Sequence, residues 1–212
     1  MRVRVWDAPT RLFHWSLVVL IPLSWWTAQE ERFDLHVPLG LVTLGLLLFR
    51  LMWGLFGGST ARFAGFVKGP RSAIAYLRGR AAPALGHNPL GGWSVIAMLA
   101  ALAAQVGLGL FAGDEDGIDS GPLAHLLSYD LAEEIADLHE DMFDVLLVLI
   151  GLHVAAILFY AIVRRRNLVK PMITGSDEAP AGTPPMRQAP LWRFMLAAGA
   201  AAAASLWIAA GA

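Results

Sequence analysis

Residues 138–153 read LHEDMFDVLLVLIGLH, and they place His139 and His153 fourteen positions apart around an almost unbroken apolar run. In an α-helix, at about 100° and about 1.5 Å per residue, the two rings project from nearly one face, about 40° apart around the axis and about 21 Å apart along it. That separation is most of the roughly 30 Å hydrocarbon thickness of a bilayer. Because ionisable and metal-binding side chains are costly in lipid, the spacing predicts two functional centres at two membrane depths.

The composition of the whole chain predicts a small polytopic membrane protein. Of its 212 residues, 57% are hydrophobic and only 16% are charged, unlike an ordinary soluble domain. The chain has no cysteine, which excludes disulfides, thiolate zinc sites, iron–sulfur clusters and covalently attached haem. Metal or haem chemistry must therefore use histidine, methionine or carboxylates. Nucleotide-binding loops and the HExxH zinc motif are absent, and no nucleic-acid partner is expected.

Five apolar stretches have about the length that a membrane-spanning helix needs. The first could instead be a cleaved signal peptide, because a basic segment precedes it. A retained helix is favoured, since Trp25 and Trp26 are a poor match for a small-residue cleavage site. The stretches are residues 12–27, 37–56, 93–112, 143–163 and 191–209.

The basic residues between these stretches orient the predicted helices. The side rich in lysine and arginine faces the cytoplasm, which predicts a multi-pass protein of the bacterial inner membrane with a cytoplasmic N-terminus and a periplasmic C-terminus. On the opposite side, Arg32 is the only basic residue between the first two helices, and there is none between the third and fourth. The residues predicted to lie inside are Arg2, Arg4, Arg11, Arg62, Lys68, Arg71, Arg78, Arg80, Arg164, Arg165, Arg166, Lys170 and Arg187.

The connection before the fourth helix, on the predicted outer side, is strongly acidic. A solvated loop is one interpretation. The other is an electrostatic docking surface for a basic soluble redox partner. The residues of this acidic outer connection are Asp114, Glu115, Asp116, Asp119, Asp130, Glu133, Glu134 and Asp137.

Four histidines fall into two sets at matching depths. In the predicted orientation, His14 and His153 lie toward the cytoplasm and form the inner pair, whereas His36 and His139 lie toward the outside and form the outer pair. A single helical histidine is more often a packing residue than a ligand. Two imidazoles from different helices at one depth are what bis-histidine ligation of a b-type haem requires. The two matched sets therefore predict two non-covalent b-type haems.

Two arginines are candidate partners for the propionates of the inner haem. Arg50 lies fourteen residues after His36, on the same helix face but at inner depth. A propionate would pair its charge, and snorkelling to the nearby surface is the alternative. Arg11 lies one turn before His14 and is the second candidate.

The two remaining histidines have no predicted ligand role. His87 belongs to GHNPLGG, where Asn88 can cap the third helix and Pro89 suits its first turn. It is interpreted as a loop residue that shapes the start of this helix. His125 lies in the acidic outer connection and is interpreted as solvent-exposed.

Several motifs together resemble the bacterial cytochrome b-561 family, which includes the cytochrome b subunits of nickel–iron hydrogenases. They are VWDAPTRLFHW at residues 5–15, GHNPLGG at 86–92, LHEDMFDVLLVLIGLH at 138–153 and NLVKPMITG at 167–175. The resemblance covers roughly residues 3–175. It implies a four-helix membrane domain with two b haems, one ligated by His14 and His153 and the other by His36 and His139. It also implies electron transfer, often to or from a quinone.

We therefore expect an all-α integral membrane protein, with a four-helix transmembrane bundle that holds two haems and a fifth, C-terminal transmembrane helix. Residues 1–175 are expected to form the di-haem domain. Residues 176–190, rich in Pro, Gly, Ser and Thr, are expected to form a flexible cytoplasmic linker. Residues 191–212 carry the fifth helix, which is expected to pack peripherally or to contact a partner.

The favoured function is electron transfer between a periplasmic redox partner and the membrane quinone pool. The partner would be a hydrogenase-type subunit or a soluble cytochrome c, and the chain would be an electron-transfer subunit rather than a self-sufficient enzyme. One alternative is a superoxide:quinone oxidoreductase, although the acidic outer connection disfavours an anionic substrate. The other is a small ion or metal transporter, for which only Asp144 offers a carboxylate near the fourth apolar run.

Overall fold

The computed structural model describes residues 1–80, 85–114 and 119–211. Glu115 and Asp116, two residues of the acidic outer connection, lie outside this part of the chain. In chain order the elements are strand β1 (Arg2–Arg4), helices α1 (Ala8–Gln29), α2 (Phe33–Phe56), α3 (Phe63–Phe66), α4 (Pro70–Leu77) and α5 (Pro89–Phe111), the 3₁₀ turn Ala124–Leu126, helices α6 (Tyr129–Ile162) and α7 (Val169–Thr174), strand β2 (Ser176–Glu178) and helix α8 (Leu191–Ala209).

Four of the described helices, α2, α5, α6 and α8, are long and apolar enough to cross a membrane. Helix α1 has 22 residues but is not among them, because tryptophan, proline, serine and histidine interrupt its aliphatic residues. Its membrane span stays a prediction. Apart from the short strands β1 and β2, the regular structure of the described residues is helical, and the chain is an all-α integral membrane protein.

Helices α1, α2, α5 and α6 begin before their apolar stretches, and polar side chains cap two of them, α1 and α5, outside the hydrophobic run. Asp7 Oδ1 accepts a hydrogen bond from Thr10 N at 2.8 Å, which caps α1. The predicted cap of α5 is confirmed, since Asn88 Oδ1 accepts from Gly91 N at 2.7 Å. Helix α6 extends furthest in this direction: it begins at Tyr129, so its first turns carry the last four acidic residues of the outer connection, Asp130, Glu133, Glu134 and Asp137.

The described chain forms two compact units, and each long helix contributes residues to both. Unit 1 consists of Met1–Phe13, Arg50–Ala97 and Leu149–Ala197, and unit 2 of His14–Phe49, Met98–Val148 and Ala198–Ala212.

In unit 1, a two-stranded ribbon joins the N-terminal segment to the residues that follow α7. Strands β1 and β2 pair antiparallel, with Arg4 opposite Ser176. Gly175 O accepts the backbone N–H groups of Val5 and Trp6, at 2.8 and 3.1 Å. The buried Met186 donates its N–H to Arg4 O at 3.0 Å. Part of the stretch predicted as a flexible linker thus packs on the N-terminal segment, and the flexibility of its remainder stays a prediction.

Helix α8 packs against α2 through small residues. In unit 2, Ser205 Oγ donates to Leu41 O at 2.7 Å. In unit 1, Arg193 donates to Phe56 O at 3.1 Å. Ala197 and Ala201 are only 0% and 2% exposed, because their small side chains let the two backbones approach. Most large apolar side chains of α8 are exposed, as expected for contact with lipid; they include Leu196, Leu206 and Trp207.

Two glycines offer a matched test of helix packing. A Cβ added at Gly54 in α2 would overlap the ring of Phe63, whereas one added at Gly199 in α8 meets nothing within 4 Å. Gly54→Ala should therefore destabilise the protein by about 1–3 kcal/mol through overpacking. Gly199→Ala should be neutral or stabilising, by up to about 1 kcal/mol. Thermal unfolding in detergent, followed by circular dichroism, checks this, and equal stability of the two variants would contradict the packing at Gly54.

Candidate functional site

The outer pair comes together in unit 2. The rings of His36 on α2 and His139 on α6 lie with their centroids 6.1 Å apart and their planes at 86°. A metal–nitrogen bond is about 2 Å long, so two imidazoles on opposite sides of one metal ion have ring centres about 6 Å apart. The observed separation therefore suits a single metal atom bound between these two histidines.

Backbone carbonyls orient both rings. His36 Nδ1 lies 2.8 Å from Ser24 O of α1, and His139 Nδ1 lies 2.8 Å from Gln105 O of α5. A carbonyl oxygen only accepts hydrogen bonds, so each Nδ1 carries the ring proton and each Nε2 keeps its lone pair. Metal-binding histidines are typically held in this way, with the second nitrogen donating to a carbonyl or carboxylate. Both rings of the outer pair are thus in the tautomer that a metal requires.

Helix α5 packs against the ring of His139. A Cβ added at Gly109 would lie 2.8 Å from His139 Cε1, so the ring approaches the helix only because this residue is a glycine. One turn earlier, Gln105 Nε2 lies 3.3 Å from both ring nitrogens of His139. Gln105 and Ser24 were not predicted from the sequence. The signal for Gln105 is a polar residue deep in an otherwise apolar helix.

The inner pair lies on the helices that the sequence predicts. His14 is in α1, where its ring packs edge-on against Trp15 with the centroids 5.0 Å apart. His153 is in α6, fourteen residues after His139. His14 belongs to unit 2 and His153 to unit 1, and the pairing of the two stays a prediction.

Unit 1 contains a buried charged cluster around Arg50. This side chain is 3% exposed, and its Cζ atom lies 4.9 Å from the centre of the Phe63 ring. Asp7, 8% exposed, is the acid whose charge acts on it. The Asp7 carboxylate is already engaged, because Oδ1 caps α1 and Oδ2 accepts from Trp53 Nε1 at 3.0 Å. Arg50 Nη1 is buried without a hydrogen-bond partner among the described residues.

Two further buried polar atoms lie beside this cluster in the sequence. Arg11 Nη1 donates to Ile173 O at 2.5 Å, but Arg11 Nε is buried and has no partner in the described part of the chain. The same is true of Thr10 Oγ1. A buried donor without an acceptor costs about 1–3 kcal/mol, and native proteins contain few of them. The unsatisfied donors on Arg11 and Arg50 each fit a bound anionic group, such as a propionate of a haem.

His87 precedes α5 as predicted, but its ring is packed between aromatic side chains. The ring centroids of Trp6 and Phe66 each lie 4.7 Å from that of His87. Burial lowers the pKa of His87 to about 4, and the charges of Arg50 and His153 act in the same direction. His87 is therefore neutral at neutral pH. His125, by contrast, is exposed as predicted, with Nδ1 3.0 Å from Pro122 O.

The family model for prokaryotic cytochrome b561 matches residues 5–175. The match includes the inner pair, the outer pair, Arg11 and Arg50. No curated protein and no solved structure matches the chain.

Proposed function

The chain belongs to the prokaryotic cytochrome b561 family, and on this premise we propose that it transfers electrons between a periplasmic redox partner and the membrane quinone pool through two b-type haems. As a member of this family, the protein is a membrane b-type cytochrome that takes part in electron transfer.

One observation carries the proposal: the outer pair, with ring centroids 6.1 Å apart and both Nδ1 atoms held by carbonyls. We assign His36 and His139 as the residues that would bind the iron of the outer haem. His14 and His153 are assigned to the inner haem, because the spacing in the sequence and the loop charges predict that they lie at one depth. When bound, such a haem would supply one-electron transfer.

Arg11 and Arg50 are proposed to hold propionates of the inner haem. Both carry a buried nitrogen without a partner among residues 1–80, 85–114 and 119–211. A guanidinium donates several hydrogen bonds and accepts none, so a carboxylate satisfies it better than any neutral group. The charge of the propionate would also offset a cation that lies deep in a spanning helix.

The proposed docking surface for the periplasmic partner is the acidic outer connection. Four of its residues are exposed on the first turns of α6, and the last of them lies within one helical turn of His139. They are Asp130, Glu133, Glu134 and Asp137. Such a surface attracts a basic soluble protein and repels an anion such as superoxide. It therefore favours an electron-transfer subunit over a superoxide:quinone oxidoreductase. The loop charges support an inner-membrane location with the N-terminus in the cytoplasm and the C-terminus in the periplasm.

The proposal is tested on purified protein. We expect two haems per chain, a reducible b-type spectrum with two midpoint potentials, and oxidation of the reduced haems by a quinone. A colourless protein, as expected of a transporter, would overturn the proposal. One haem per chain would overturn the di-haem assignment, and reduced haems that a quinone leaves unoxidised would remove the quinone from it.

Two glycines of α5 provide a test that leaves the ligands in place. Gly109→Ala should displace the ring of His139, because the new Cβ would lie 2.8 Å from His139 Cε1. We expect loss of the outer haem or a midpoint shift of tens of millivolts, since a displacement of well under 1 Å disturbs a preorganised ligand. Gly107→Ala is the control, because a Cβ there meets nothing within 4 Å. Equal haem content and equal midpoint potentials in both variants would contradict the role of the contact between Gly109 and the His139 ring.

A further inference from the structure

Arg50 and His87 each have a buried nitrogen that lacks a hydrogen-bond partner among the described residues, Nη1 of Arg50 and Nδ1 of His87. Both belong to unit 1, and Arg50 is close enough to act on the pKa of His87. Both also contact α3: Phe63 lies under the Arg50 guanidinium, and Phe66 packs on the His87 ring. The two nitrogens therefore belong to one local site rather than to two separate packing defects.

The acid whose charge acts on Arg50 already has other partners. Both oxygens of Asp7 accept hydrogen bonds, one from Thr10 N and the other from Trp53 Nε1. The His87 ring is held by Trp6 and Phe66, so its Nδ1 has a set direction. Buried donors in native proteins are normally paired, so a bound molecule is a natural source of the acceptor that Arg50 Nη1 lacks among the described residues.

The donor set selects the chemistry of that molecule. Arg50 is permanently charged and can only donate. A neutral imidazole with its proton on Nδ1 donates as well. Two donors of which one is a cation suit a carboxylate, whose two oxygens can accept from both at once. A neutral carbonyl would leave the charge of Arg50 without an opposite charge beyond that of Asp7.

We propose that His87, together with Arg50, binds one carboxylate of the inner haem. The inference rests on the proposed function, because it requires a haem beside His153. His87, Arg50 and His153 all belong to unit 1. His87 would then contact a haem carboxylate, in addition to shaping the start of α5.

The test compares two haems that differ only in their carboxylates. The full chain is produced in cells that cannot make haem and is supplied with protohaem or with protohaem dimethyl ester, which has no free carboxylate. The wild type, His87→Phe and His87→Gln are compared, with the exposed His125→Phe as a control. The readouts are the inner-haem midpoint potential and its rate of loss to an external haem acceptor.

With protohaem, His87→Phe should speed loss of the inner haem by about tenfold or more and shift its midpoint. His87→Gln keeps an N–H donor and should lie nearer the wild type. With the dimethyl ester, the wild type and His87→Phe should behave alike, and His125→Phe should match the wild type with either haem.

Three results would overturn the proposal. If His87→Phe has the same effect with both haems, His87 acts by packing or on an acceptor other than a propionate. If His87→Phe has no effect while both haems are present, the contact with the carboxylate does not exist, yet the proposed function stands. If the wild type binds no inner haem, the proposed function fails together with this inference.

Discussion

Replacing His139 by alanine is expected to remove the outer haem and to leave the inner one, which halves the haem content of the protein. The ring of His139 is required because it pairs with that of His36. Their ring centroids are 6.1 Å apart, a separation that suits one metal atom bound between them. A bis-histidine haem that loses one axial ligand binds weakly and changes its spectrum. The measurement is the haem-to-protein ratio together with a reductive titration, in which one of two midpoints should disappear.

His125→Ala is the matched control, since it removes an exposed histidine from the same unit. It should keep both haems. The reciprocal variant, His14→Ala, should lose the inner haem and spare the outer one. If His139→Ala keeps its full haem content, or if His139→Ala and His14→Ala remove the same haem, the proposed pairing of ligands is wrong.

Replacing Asp7 by alanine is expected to destabilise the protein by about 3–5 kcal/mol, the usual result of removing one partner from a buried charge cluster. The substitution removes the cap of α1, leaves Trp53 Nε1 without its acceptor and deprives the buried Arg50 of its nearest opposite charge. Asp7→Asn keeps one acceptor oxygen, which can still cap α1, but its NH2 group would face Trp53 Nε1 and it carries no charge, so its effect should be intermediate. Thermal unfolding in detergent gives the comparison.

Asp177→Ala provides the control for an acid in the same unit. Asp177 pairs with Arg166 at 2.9 Å, but half of the Arg166 side chain is exposed, and such surface pairs contribute at most about 1 kcal/mol. A similar loss of stability for Asp7→Ala and Asp177→Ala would contradict the view that Asp7 is the counter-charge of a buried arginine.

The sequence was a good guide to where the chain is apolar and a poorer guide to where its helices begin. The apolar run that starts near residue 143 belongs to a helix that begins at Tyr129, and the run that starts near residue 37 belongs to one that begins at Phe33. Hydropathy marks the part of a helix that suits lipid. The helix itself continues into water until its backbone groups are capped, as Asp7 and Asn88 do for α1 and α5.

For the histidines, too, the sequence predicted some features and missed others. Proximity of His36 to His139 was predicted from depth and loop charge, and the structure brings their rings together. The environment of His87 was not predicted, because GHNPLGG has the composition of a turn. Its burial depends on Trp6 and Phe66, which lie about 80 and about 20 positions away in the chain. Likewise, the strand pairing of Ser176–Glu178 is too short to leave a period-2 pattern in the sequence.

By itself, the sequence determined that the chain enters a membrane, predicted the depths at which its histidines lie, and limited metal or haem chemistry to histidine, methionine or carboxylates. These properties follow from hydrophobicity and charge, which act locally and sum along the chain. Only the tertiary structure decided which carbonyls hold the rings of His36 and His139, which glycine admits one of them, and which buried donors of Arg50 and His87 lack an acceptor. Those properties depend on atoms of residues that are distant in the sequence, and no local pattern encodes such contacts.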